Sequence, residues 1–161
     1  MLHATPGGHR RRATDAFAAQ GVAADRIDFV EGLPLDQYLA RYHGIDIALD
    51  PFPYGGGTTS CDALFMGVPV VTFRGKTAVG RGGTSILSQI GATELIAETA
   101  DQYVQIAIDL ARDPTRRAAF RDSMRSRMAS SALMNAETFA RAMESQYSAI
   151  WKTWCGAKQN P

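Results

Sequence analysis

Short apolar runs alternate with amphipathic stretches through the first hundred residues, and this alternation predicts strands separated by helices. Leu2–Thr5 is apolar and is broken by Pro6-Gly7-Gly8, which reads as the end of a strand. Arg10–Gln20 is alanine-rich and stops at Gly21, a helix C-terminal signal. Arg26–Glu31 reads as a short strand, and Leu35–Tyr42 as a short helix with Asp36 near its start. An apolar strand follows over Asp46–Asp50, and the run Ile45–Leu49 is too continuous for a half-exposed strand. A proline-pinned turn at Pro51–Pro53 leads into Gly55–Gly57, Thr58, Thr59 and Ser60. A helix is expected from about Cys61 to Met66, a stop at Gly67, and a second apolar strand over Pro69–Phe73. Strand, glycine loop, helix and strand make a βαβ unit. Repeated, such units imply a parallel sheet with helices on both faces.

Arg74–Ser85 is a second glycine-rich stretch, ending in Thr84-Ser85 as a cap for a helix over Ile86–Ile90, which Gly91 ends. From Thr99 the pattern becomes helical. Tyr103, Ile106, Ala107 and Leu110 recur at helical spacing within Ala100–Arg112. Asp113-Pro114 breaks that helix, with Pro114 suited to the first position of the next. Thr115–Met128 is a charged helix with Phe120 and Met124 on its inner stripe, and Ser130–Asn135 is a loop. Ala136–Trp154 carries Phe139, Met143, Tyr147, Ile150 and Trp154 every three to four residues. That stripe is a packing face, laid across the sheet or against another domain. The organisation expected is one domain over residues 1–161: an α/β part at 1–97, a helical extension at 98–155 and a frayed tail at 156–161.

Composition narrows the function classes. The chain has 161 residues, 45% of them hydrophobic, which suits one globular core. The net charge of +1 calls for neither nucleic acid nor an anionic membrane surface. No apolar stretch approaches the ~20 residues of a membrane span. Met1–Gly8 lacks the charged start and apolar region of a signal peptide. Two cysteines, Cys61 and Cys155, do not make a disulfide scaffold, so a reducing cytoplasm fits. His3, His9 and His43 have no ligand spacing, and no metal is expected.

The chemistry concentrates in Gly55–Asp62. Helix N-termini present unpaired N–H groups and partial positive charge, and glycines let backbone amides approach an anion closely. Thr58 and Thr59 add hydroxyl donors. Asp62 lies four residues after Thr58, on the same helix face, where a carboxylate suits a sugar diol better than a phosphate. The loop is neither a Walker loop nor a GxGxxG fingerprint. Its residues read as a nucleotide-diphosphate site; a tight turn capped by Thr58 or Ser60 is the structural alternative. Cys61, at the same helix start, is either a reactive thiol or a small packing residue. Lys76 and Arg81 either face a phosphate or sugar or are surface charges.

The chain resembles the C-terminal half of the O-linked N-acetylglucosamine transferase family, including its SPINDLY-like members. The resemblance is carried by Arg26–Phe29, Asp46–Asp50, Gly56–Asp62, Gly67–Thr72, Leu87–Ile96, Ser130–Leu133 and Tyr147–Trp154, in order. It implies a Rossmann-like α/β sheet, part of the C-terminal domain of a GT-B glycosyltransferase. It also implies a donor site for a UDP-sugar of the UDP-GlcNAc kind, with no other cofactor. Thr58, Thr59 and Gly57 would bind the diphosphate and Asp62 the ribose hydroxyls. The backbone at Leu33 would meet the uracil edge, and Tyr38 and Arg41 would face the nucleotide. The animal enzymes carry Lys, His and His where this chain has Leu35, Tyr38 and Gly57. A protein acceptor would be met by an N-terminal half, so the chain alone is expected to be an inactive fragment, with no catalytic base among its residues. The alternatives are another GT-B enzyme, with an N-glycosyl or small-molecule acceptor, and a non-catalytic interaction module.

Overall fold

A computed structural model describes residues 5–157 together with the backbone of Leu2 and His3. Of the expected tail at 156–161, Gly156 and Ala157 continue the last helix, and 158–161 lies outside the described residues. The chain divides into two compact units, Met1–Arg41 and Tyr42–Pro161.

The first unit holds a parallel pair of two-residue strands, β1 (Leu2–His3) and β2 (Phe29–Val30), with Leu2 opposite Phe29. The helix α1 (Gly8–Ala18) crosses between them, and Gly21, at φ +79°, follows it. A 3-10 turn at Ala24–Arg26 takes the start of the expected second strand, leaving only Phe29–Val30 extended. The helix α2 (Leu35–Arg41) closes the unit.

The second unit is built on three parallel strands in the order β3 (Ala48–Leu49), β4 (Val70–Phe73) and β5 (Ile96–Ala97). Ala48 pairs with Val70 and Thr72 with Ile96. The helix α3 (Thr58–Phe65) links β3 to β4, and α4 (Gly82–Gln89) links β4 to β5, as two successive βαβ crossovers. The long helices α5 (Ala100–Arg112) and α6 (Pro114–Ala129) pack behind them. Leu64, Val68, Val71, Leu95, Leu110 and Met124 are fully buried at the centre. Burying each such side chain stabilises the fold by roughly 1.5–3 kcal/mol.

The run Ile45–Leu49 was expected to form a wholly buried strand, and it does not. β3 is the outer strand of this sheet, and Leu49 is 55% exposed. An apolar run reports hydrophobicity, not whether a strand has neighbours on both sides.

The helix α6 ties the unit together through arginines. The Arg117 guanidinium donates to the carbonyls of Leu110 and Ala111, at the end of α5. Arg125 donates to the Phe65 carbonyl, at the end of α3, and stacks over the Phe65 ring. Arg127 reaches the Gly91 carbonyl, just past α4. The last carbonyls of a helix have no intrahelical donor, so this basic helix satisfies the ends of α5 and α3 and pins the turn after α4. The start of α6 is capped by the Asp113 carboxylate accepting from the Arg116 N–H, with Pro114 at its first position.

The helix α7 (Ala136–Ala157) has no buried residue. Its stripe is expected to lie across the sheet or against another domain; Phe139, Tyr147 and Ile150 are each more than 60% exposed, as is Trp151 beside them, so the sheet does not cover it. Trp151 and Trp154 stack on each other at 5.1 Å.

Candidate functional site

The strand β3 ends at Asp50, and the chain then turns through Pro51–Pro53, where the Phe52–Pro53 peptide is cis. The Phe52 ring rests against Phe73 and Tyr103, with centroids 5.3 and 6.1 Å away. The glycines follow, and α3 begins directly after Gly57, three residues earlier than the sequence suggested. Neither Thr58 nor Ser60 caps the helix; Gly57 holds that position, without a side-chain cap. The Cys61 N–H makes the first intrahelical bond, to the Gly57 carbonyl. The N–H groups of Gly57, Thr58, Thr59 and Ser60 therefore precede the helical ladder. Gly57, Thr58 and Thr59 are exposed, and among the described residues neither threonine hydroxyl has a hydrogen-bond partner. Asp62 stands one turn further along α3, half-buried. The Tyr42 hydroxyl donates to the Thr59 carbonyl at 3.4 Å.

The loop is fastened from beneath by Asp50, which is only 4% exposed. Its Oδ1 accepts from the Gly56 N–H and, at 3.3 Å, from the Ser60 hydroxyl. Its Oδ2 accepts from the Thr72 hydroxyl at 2.8 Å. From the other side, the Tyr103 hydroxyl donates to the Asp50 carbonyl at 3.0 Å. Burial, then the Asp50 charge, pushes the Tyr103 phenol up to about 12. The close fit accounts for the glycines. A Cβ on Gly56 would lie 2.5 Å from the Ser60 Oγ, and one on Gly83 would overlap Asp50 Oδ2 and Thr72 Oγ1. The two glycine stretches thus meet on one carboxylate, at the carboxyl ends of β3 and β4. Open α/β sheets bind ligands at that end.

Sequence reasoning passed over Asp50, Ser60 and Thr72. The available signal was an acid closing an apolar strand, with a glycine run five to seven residues later.

The second stretch differs from expectation. Thr84 and Ser85 do not precede the helix: α4 begins at Gly82, and Thr84 lies buried in its first turn. Arg81 turns inward on its own loop. Its guanidinium donates to the carbonyls of Thr77 and Lys76, at 3.5 and 3.1 Å. The Gly75 N–H closes the loop onto the Gly80 carbonyl.

Cys61 behaves as the packing residue of the two alternatives. Burial, then the neighbouring Asp62 charge, pushes its thiol up, opposite to the lowered value of a reactive thiol. Among the described residues no cluster of His, Cys, Asp or Glu would hold a metal ion, and no helix is long and apolar enough to cross a membrane.

The structure brings Gly57, Thr58, Thr59 and Asp62 together on the first turns of α3. Leu33, Tyr38 and Arg41 belong to the first unit: Leu33 precedes α2, and Tyr38 and Arg41 lie on it. Leu33 and Tyr38 are half-buried and Arg41 is exposed.

Two successive βαβ crossovers with an open helix start at the carboxyl edge of the sheet define a Rossmann-like α/β domain. The description "Glycosyl transferase family 41" matches residues 4–143, and the chain belongs to that family. It is 39% identical to the probable UDP-N-acetylglucosamine–peptide N-acetylglucosaminyltransferase SPINDLY of Arabidopsis thaliana, over 91% of this chain and 16% of that protein. It is 30% identical to the UDP-N-acetylglucosamine–peptide N-acetylglucosaminyltransferase of Caenorhabditis elegans, over 84% of this chain and 12% of that protein. It superposes on a K341M mutant of the Thermobaculum terrenum O-GlcNAc transferase with a TM-score of 0.84. That match has 36% sequence identity and covers 92% of this chain and 28% of that one. The chain thus spans about a sixth of the length of the plant relative. These matches bear out the resemblance to the O-linked N-acetylglucosamine transferases and the Rossmann-like α/β class expected from it.

Proposed function

We propose that this chain is the donor-nucleotide part of a protein O-glycosyltransferase, binding the diphosphate of a UDP-sugar of the UDP-GlcNAc kind at Gly55–Asp62. The observation that carries this reading is the uncapped start of α3, with exposed Thr58 and Thr59 hydroxyls above a loop held by Asp50. The names of the plant and nematode relatives support the donor and a protein acceptor. In this reading the diphosphate accepts from the N–H groups of Gly57, Thr58 and Thr59 and from the two hydroxyls. Each hydrogen bond to a charged group is worth about 1.5–3 kcal/mol. Asp62, one turn on, takes the ribose hydroxyls.

The chemical step follows from the same geometry. As an acceptor hydroxyl displaces the nucleotide from the anomeric carbon, charge grows on the leaving diphosphate. Fixed N–H groups at a helix start stabilise that charge without reorganising. In this reading none of these residues supplies the acceptor site or the base that deprotonates the acceptor. Cys61 and Cys155 are free thiols, which supports a cytoplasmic setting.

Competition between nucleotides tests the reading. UDP should displace a fluorescent UDP analogue from the chain at lower concentration than ADP or GDP. Equal displacement by all three would remove the uridine assignment. No binding of the analogue would remove the nucleotide reading altogether.

A further inference from the structure

We infer that Asp50 is a positioning residue of the donor site, acting through the Gly56 amide and the Ser60 hydroxyl to aim the open N–H groups of α3 outward. The inference rests on the nucleotide-binding reading above.

The two carboxylate oxygens face different parts of the fold. Oδ2 meets the Thr72 hydroxyl on β4, in the sheet. Oδ1 meets Gly56 and Ser60, the residues that flank Gly57, Thr58 and Thr59. Drawing both flanking residues inward leaves the three between them facing out. Ser60 is 6% exposed, whereas Thr58 and Thr59 are exposed. A loop fixed before the ligand arrives loses less conformational entropy on binding.

The donor set points the same way. Among the described residues no Lys, Arg or His pairs with Asp50; its donors are one amide and two hydroxyls. Burying a carboxylate on neutral donors is costly, and a sheet core alone is better served by apolar packing. What a carboxylate adds is an acceptor on each side at once. Gly56 N–H cannot rotate and requires an oxygen. Thr72 Oγ1 can turn to accept instead. Asn at this position therefore satisfies all the groups, with its oxygen on Gly56 and its amide on Thr72.

The test is calorimetric titration of the chain with UDP, well below each variant's melting midpoint. Ser60→Ala removes a loop-side bond and should weaken UDP binding several-fold, towards about tenfold. Thr72→Val removes the sheet-side bond and should lower the melting temperature with UDP affinity within about twofold. Asp50→Ala should lose binding, and Asp50→Asn should restore it to near the wild-type value. Equal effects of Ser60→Ala and Thr72→Val on affinity would overturn the inference, leaving Asp50 a structural residue only. So would failure of Asp50→Asn, well folded, to bind. Hydrogen exchange at the bonded amides of Gly56 and Cys61 separates the two claims. If the wild type does not bind UDP, the nucleotide reading fails. Faster exchange there in Ser60→Ala but not Thr72→Val would still support the positioning, and unchanged exchange would contradict it.

Discussion

The two glycine-rich stretches look alike in sequence and are opposites in the structure. Gly57–Thr59 leaves its donors outward: helix-start N–H groups without a cap and two hydroxyls without a protein partner among the described residues. Arg74–Ser85 turns its polar groups on itself, with Arg81 bound to the carbonyls of Lys76 and Thr77 and Gly80 N–H bound to the Thr77 hydroxyl. Glycine content alone therefore does not mark a ligand site. What distinguishes the two is where the donors go. The first stretch is anchored by an acid outside it, Asp50, which takes the Gly56 N–H and leaves the donors of Gly57–Thr59 open. The second anchors itself and uses its donors up, while lending Gly83 to make room for Asp50.

Substitutions can break this contrast in four places. The largest effect is expected at the shared wall. Gly83→Val would drive a side chain into Asp50 and Thr72, costing at least about 1–3 kcal/mol. A melting temperature unchanged from wild type would show that the two stretches do not meet as described. Next comes the open loop itself. Thr58→Ala and Thr59→Ala should each weaken UDP affinity by about tenfold, with no change in thermal stability, because both side chains are exposed. Loss of stability in place of affinity would make them structural.

Tyr103→Phe removes the bond to the Asp50 carbonyl and should cost about 1 kcal/mol. It also carries a pH signature. The phenol ionises at about 12 in the folded chain and at ~10 when unfolded. Ionisation thus favours the unfolded chain, so the Tyr103 contribution is complete below pH ~10 and is lost as pH rises towards 12. Denaturant titrations across that window should show a steeper fall in stability for wild type than for Tyr103→Phe. The smallest effect is expected from Arg81→Ala. It frees the second stretch, costs about 0.5–1 kcal/mol, and should leave UDP affinity unchanged. A fall in UDP affinity would make Arg81 a ligand contact after all.

Much of the fold was legible because periodicity and punctuation agree with it. Ala100–Arg112 matches α5 residue for residue, and Pro114 sits at the first position of α6. The helix starts that were misplaced share a cause. α3 and α4 begin beside glycines without side-chain caps, so no Ser, Thr or Asp marks them. In sequence α6 reads only as a charged helix, yet Arg125 and Arg127 bind carbonyls 60 and 36 residues away. Asp50 was invisible for the same reason: Gly56, Ser60 and Thr72 lie 6, 10 and 22 residues along the chain. Of the candidate site, the α3 residues were legible as a motif; the acid that holds them was not. Exposure of the α7 stripe was equally beyond reach, since a hydrophobic pattern states a demand for cover and not whether cover is there.

The most direct test of the account is an amide NMR titration of the chain with UDP. The account predicts progressive shifts centred on Gly56–Asp62, with Lys76–Gly80 unmoved, and loss of those shifts in Thr58→Ala. Shifts concentrated in the second glycine stretch, or none at Gly56–Asp62 at millimolar UDP, would contradict it.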